Sequence, residues 1–387
     1  MRSSPSSACS VPCWRPRGAG GFRSCSGELL AGILVGHTGL GLVDSSDPTL
    51  TLLADVGFAL IMFVAGTHVP VRDAGIRSAL GKGTARAGLA ALIAIVLGVA
   101  TAVLFGTGHA PLYAVLLASS SAALVLPVID SLKLTGPSVL QATAQVAIAD
   151  VAAIVALPIV IDPANAGRAA LGAVAVAVSA LLLYLALSRF EKNGSRLRLH
   201  RVSEDRKFAL ELRVQLTILF AFAALAVVSH VSIMLAGFSF GLAVAMVGEP
   251  RRLARQLFAI ADGFLGPLFY VWLGASLNVL DLVTRPGMIL LGVALGLGAL
   301  LAHASARLLG LPLRYGLLAA AQLGVPVAAA TIGTQLNLLA PGEAAALILG
   351  ALITIGVATG AAGVASRRQA AGAPAAPGAP AAPPTSA

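Results

Sequence analysis

Asp150 interrupts QVAIADVAAIVALPIV, residues 145–160, an otherwise apolar run. The run 137–161 is long enough to span a bilayer, and it places Asp150 thirteen residues from one end and eleven from the other. A carboxylate at that depth costs about 2.5–3.5 kcal/mol on insertion scales, so an intramembrane acid is read first as a functional group. The bland alternative is a protonated acid hydrogen-bonded between helices. Asp55, Asp130, Glu211, Asp262 and Glu343 all fall near span ends, where snorkelling or interfacial water is expected to satisfy them.

Two nearby patterns supply what an ion site needs. In ASSSAALVLP, residues 118–127, the hydroxyls of Ser119, Ser120 and Ser121 precede Pro127, which removes an N–H and frees backbone carbonyls. AAQLGVPVAAATIG, residues 320–333, repeats the grammar with polar Gln322, then Gly324 and Pro326. Interrupted helices in the two halves of a chain point to a midplane binding site. The competing reading is that Ser, Gly and Ala only permit close helix packing. Chemically, a partly dehydrated carboxylate is stabilised by a proton or by a hard cation, and the two compete for it. Asp150 with the three serines could hold Na+ or K+, with Pro127, Gly324 and Pro326 as helix breaks and Gln322 as polar lining.

Elements that could position these residues follow from composition. The 387 residues are 58% hydrophobic and 11% charged, against roughly 25% charged in soluble domains. Twelve apolar segments are expected, at about 27–43, 50–68, 84–105, 110–131, 137–161, 168–188, 210–229, 232–247, 253–279, 288–309, 313–337 and 342–365. None alternates as a barrel strand would. The expected fold is an all-α polytopic membrane protein.

Charge sets the expected orientation. One face of the alternating gaps receives Arg72, Arg77, Lys82, Arg86, Lys133, seven basic residues from Arg189 to Lys207, Arg251, Arg252, Arg255, Arg307, Arg314, Arg367 and Arg368. The other receives Arg168 and Arg285. By the positive-inside rule the basic face is cytoplasmic, and both termini lie on it. The net charge of +10 is therefore a topology signal and not a nucleic-acid footprint. Cys9, Cys13 and Cys25 have no neighbouring His or fourth Cys to complete a metal site, and no cofactor is called for. Residues 1–26 read as a disordered basic leader or as out-of-frame translation replacing a genuine first helix, which resequencing through codon 26 would test. Residues 27–365 form the membrane domain, and the Pro/Ala-rich 366–387 is expected to be a disordered tail.

Several stretches together resemble the second large family of the monovalent cation:proton antiporters. They are GELLAGILVGHTGLGL (27–42), LADVGFALIMFVAGTHV (53–69) with Phe63 and Gly66, LLASSSAALVLPVIDSL (116–132) and QATAQVAIADVAAIVALPIV (141–160). ELRVQLTILFAFAAL, LAGFSFGLAVA and LFYVWLGASLNV fit the same family's second half. The resemblance implies thirteen helices in inverted repeats with two interrupted crossing helices, so twelve would remain after loss of the first. It also implies a homodimer in the inner membrane that exchanges a proton for Na+ or K+ by alternating access around Asp150.

The chain departs from the family pattern in places. Ala149 stands where many members carry a second polar residue, and Leu323-Gly324-Val325 replaces an Arg-Gly-Glu seen in some. Lys82, Lys133, Lys192 and Lys207 are all expected in loops, and His303, near a helix end, is expected to be structural. One proton for one cation, an electroneutral exchange, is the expectation. A sodium-coupled organic-solute symporter of the same fold is the alternative. An intramembrane enzyme is disfavoured: the chain lacks a His-Glu-x-x-His motif and clustered aspartates, and nothing fixes Ser120 against His230 or His303.

Overall fold

The computed structural model describes residues 20–67, 69, 74–192, 210–229, 231, 233–248 and 255–371. Among these residues every regular element is helical and there is no strand. Nine described helical stretches are long and apolar enough to cross a membrane, and two shorter apolar helices run over Leu212–Val228 and Ile233–Val247. This is a multi-pass membrane protein.

The chain opens with α1 (Gly20–Val35), which begins inside the stretch assigned to the leader and ends well before residue 43. Residues 36–43 are instead a turn, closed by bonds such as Leu42 N–H to Val35 O at 2.9 Å. Residues 1–19, with Cys9 and Cys13, lie outside the described residues, as do His230 and the tail beyond Ala371. Then come α2 (Pro48–Thr67) and α3 (Ala74–Phe105). Lys82 lies within α3 and not in a loop, because this helix continues past its apolar part at the basic end.

Next come the half-helices α4 (Ala110–Ala118) and α5 (Ala122–Ser131), then α6 (Pro137–Ile161), which coincides with the expected Asp150 span. Beyond α7 (Ala166–Lys192), α8 (Leu210–Val228) and α9 (Ile233–Val247), one span is assembled from α10 (Arg255–Ile260), a π-turn (Ala261–Leu265) and α11 (Gly266–Ser276). The short α12 (Leu280–Thr284) leads to α13 (Pro286–Ala304), and a second broken pair follows, α14 (Leu313–Ala319) and α15 (Gly324–Gln335). Closing the described chain is α16 (Glu343–Ala371), which runs past the expected tail boundary at 366.

Two packing themes build the molecule. Around the breaks, α3 packs on α4 and α6, while α13 and α16 pack together and α16 also covers α14 and α15. Away from the breaks, α2 lies along α9 and α1 along α11 with their backbones nearly touching. A Cβ added at Gly241 would fall 2.0 Å from the Phe63 carbonyl oxygen, and one at Gly274 would fall 2.2 Å from that of Leu29. Only glycine permits such approach, the means by which membrane helices gain contact where lipid offers no hydrophobic drive.

Candidate functional site

The first helix breaks at Ser119–Ser121, which connect α4 to α5, with Ser119 and Ser121 in extended backbone conformations. Pro127 does not mark this break. It lies inside α5, where its missing N–H releases a carbonyl beyond the break rather than opening it. The break forms where the serines supply their own partners: Ser119 Oγ donates to Leu116 O at 2.8 Å, and Ser120 Oγ to Ala319 O at 2.5 Å. The second break spans residues 320–323, between Ala319 and Gly324. Gly324 opens α15 and Pro326 sits in its first turn, where a backbone N–H lacks an intrahelical partner in any case.

The Ser120–Ala319 bond joins the two breaks directly. A broken helix exposes orphan carbonyls at one half's C-terminus and orphan N–H groups at the other half's N-terminus. Here each break helps to cap the other. Gln322 Nε2 donates to Leu116 O at 2.7 Å and Ser119 O at 3.3 Å, while Ser120 caps the end of α14. The Gln322 backbone N–H is itself held by Thr354 Oγ1 of α16 at 3.3 Å.

Asp150 is buried, with 5% of its surface exposed, and its Oδ2 accepts the Ala122 N–H at 2.9 Å. The carboxylate therefore faces the positive N-terminal end of half-helix α5, a favoured place for an anion. Ser119, Ser120 and Ser121 line the same break and are all buried. The hydroxyls of Ser119 and Ser120 already donate to carbonyls, which leaves their oxygen lone pairs available to a cation. Among the described residues no group of three His, Cys, Asp or Glu side chains is arranged to hold a metal.

Other sequence expectations fare differently. Asp130 and Asp262 are exposed, as interfacial acids should be, whereas the side chain of Glu211 lies outside the described residues. Glu343 corrects the interfacial reading, because it is wholly buried and satisfied by protein. Its Oε1 takes His109 Nδ1 and Tyr113 OH, each at 2.7 Å, and its Oε2 takes the Ala340 N–H at 2.8 Å.

Arg86, assigned to the basic face, is also buried. It donates to Gln141 Oε1 at 2.7 Å and Leu309 O at 2.8 Å. Sequence reasoning missed Gln145, whose Nε2 lies 3.3 Å from His303 Nδ1, while His303 Nε2 lies 2.9 Å from Ser119 O. The available signal was that Gln145 is a second polar residue in the Asp150 run.

A multi-pass helical membrane protein with two interrupted helices meeting beside a buried carboxylate has the architecture of a secondary transporter. The chain belongs to the family described as "Sodium/hydrogen exchanger, transmembrane", whose profile matches residues 14–365. It is similar to YjbQ of Bacillus subtilis, whose name describes a Na+/H+ antiporter, with 26% identity over 350 residues covering 84% of this chain and 56% of that protein. The Na+/H+ antiporter NhaS5 of Synechocystis is 25% identical over 286 residues, covering 73% of this chain and 40% of its own length. The chain thus spans about half the length of these relatives. In fold it is similar to the sodium proton antiporter MjNhaP1 from Methanocaldococcus jannaschii at pH 8, with a TM-score of 0.59 at 16% identity, covering 89% of this chain and 92% of that one.

Proposed function

We propose that this protein is a secondary transporter that exchanges a proton for a monovalent cation, Na+ or K+, by alternating access around Asp150. The observation that carries the reading is the buried Asp150 carboxylate, held by the N-terminal N–H of α5 beside the paired breaks. The names of its relatives support the substrates. Asp150 binds either ion but not both, and that exclusion couples them. Ser119, Ser120 and Ser121 contribute oxygens to the cation, while Gln322, Gly324 and Pro326 shape the opposite wall. With one titrating carboxylate, exchange is one for one and electroneutral. The protein works in the inner membrane as a homodimer with both termini cytoplasmic, and residues 27–365 form its transport domain.

The test is cation-induced proton release in everted vesicles, comparing Na+, K+ and choline. Asp150→Asn, nearly isosteric but unable to cycle a proton, is expected to abolish the release while inserting normally. Release retained at the wild-type rate in that variant would remove Asp150 from the mechanism.

A further inference from the structure

His303 is fully buried and reaches the ion-binding break from a third helix, α13. Its Nε2 lies 2.9 Å from Ser119 O, a carbonyl that can only accept, so this nitrogen carries the hydrogen. In the neutral ring Nδ1 then accepts from Gln145 Nε2 at 3.3 Å, on the helix that carries Asp150. Gln145 Oε1 is left buried without a hydrogen-bond partner, so the amide is held by the imidazole alone. Gln322 Nε2 approaches the same Ser119 carbonyl at 3.3 Å, which makes His303 the shorter of its two donors.

We propose that His303 is a positioning residue for cation binding: by donating to Ser119 O it fixes the C-terminal end of α4, and with it the shape of the break that receives the cation. The reasoning is geometric. Ser119 is three residues from Ala122, whose N–H holds Asp150 at 2.9 Å, and while its hydroxyl bonds back to Leu116 O its carbonyl is held from outside by His303. Without the His303 donor, the Ser119 carbonyl keeps only the longer Gln322 contact, and the end of α4 samples arrangements in which serine oxygens and carboxylate no longer converge. A binding-competent state populated only part of the time weakens apparent affinity by that fraction, without altering the step that follows binding. His303 does this as a neutral donor and carries no proton of the cycle.

The inference rests on the proposed exchange at Asp150, and its test separates the two. Glutamine can place its amide N–H where histidine Nε2 lies, whereas asparagine reaches only the Nδ1 position. His303→Gln and His303→Asn are therefore both uncharged and differ in whether Ser119 O keeps its donor. Cation-dependent proton release in everted vesicles gives the apparent KM and the maximal rate for each. His303→Gln is expected to keep the wild-type KM. His303→Asn is expected to raise it about fivefold, the factor one neutral hydrogen bond is worth, with the maximal rate per inserted protein within twofold of wild type. Equal KM values in the two variants, with only protein yield reduced, would show a purely structural histidine and overturn the proposal. Loss of transport in both would show that His303 must titrate, which overturns it as well. Neither result touches the Asp150→Asn outcome. If histidine replacement destabilises the protein, Gln322→Leu probes the same clamp from the other side, since it removes the bonds to both Leu116 O and Ser119 O. The leucine variant should then raise KM, and an unchanged KM there would also count against the clamp.

Discussion

At the scale of single residues, position along a span decides what an acid does only when its partners are local. Asp130 ends α5 in an exposed position and Asp262 is exposed within the π-turn. Asp130→Asn and Asp262→Asn are therefore expected to transport at rates within twofold of wild type in the same vesicle assay. A collapse in either would place a second acid in the ion path. Asp150 was legible because it stands alone in an apolar run, and the structure finds it buried in the middle of α6. Glu343 was not legible, since His109 and Tyr113 lie 234 and 230 residues away in sequence. Arg86 is similar: its partner carbonyl on Leu309 is 223 residues distant. No window of local sequence reports such pairings. Glu343→Gln should accordingly destabilise the fold by about 1–3 kcal/mol, the cost of leaving buried polar partners mismatched, seen as a lowered midpoint of thermal unfolding in detergent. An unchanged midpoint would mean that the cluster contributes nothing to stability.

At the scale of elements, interruptions were easier to anticipate than to place. The Ser-rich and Gly/Pro-rich stretches did mark two broken helices, but Pro127 belongs to the body of α5 and the first break lies upstream of it. A proline acts on the turn before it, whereas three successive serines can satisfy an extended segment by bonding to carbonyls from either side. The π-turn at Ala261–Leu265 had no sequence signal of comparable strength. Glycine spacing also carried more than local meaning. Gly241 meets the Phe63 carbonyl across α2 and α9, while Gly356 in α16 has open space around its missing Cβ. Gly241→Ala should cost about 1–3 kcal/mol through overpacking. Gly356→Ala should be neutral or slightly stabilising, because alanine is the better helix former. Thermal unfolding of the two variants side by side measures the difference, and equal midpoints would refute the close α2–α9 contact.

At the scale of the whole molecule, the question is how many charges cross in one cycle. Among the described residues the buried acids are Asp150 and Glu343, and Arg86 is the buried arginine. Glu343 is occupied by three donors and Arg86 by two acceptors, so neither is free to exchange ions without dismantling its contacts. Asp150 accepts a single backbone N–H through Oδ2 and keeps capacity for a cation or a proton. If the cycle turns on Asp150 alone, each cation that enters displaces one proton and no net charge moves. Transport in proteoliposomes should then be indifferent to membrane potential. A 100 mV potential set by a gradient of the permeant anion thiocyanate is worth about 2.3 kcal/mol for each charge carried across, far above what a fluorescent proton-gradient readout needs to register. With cation concentrations balanced across the membrane, imposing that potential should leave the internal pH where it was. Proton uptake driven by the potential would require a second titrating group. In that case His303, which already touches the break, would have to carry charge rather than simply hold the Ser119 carbonyl in place.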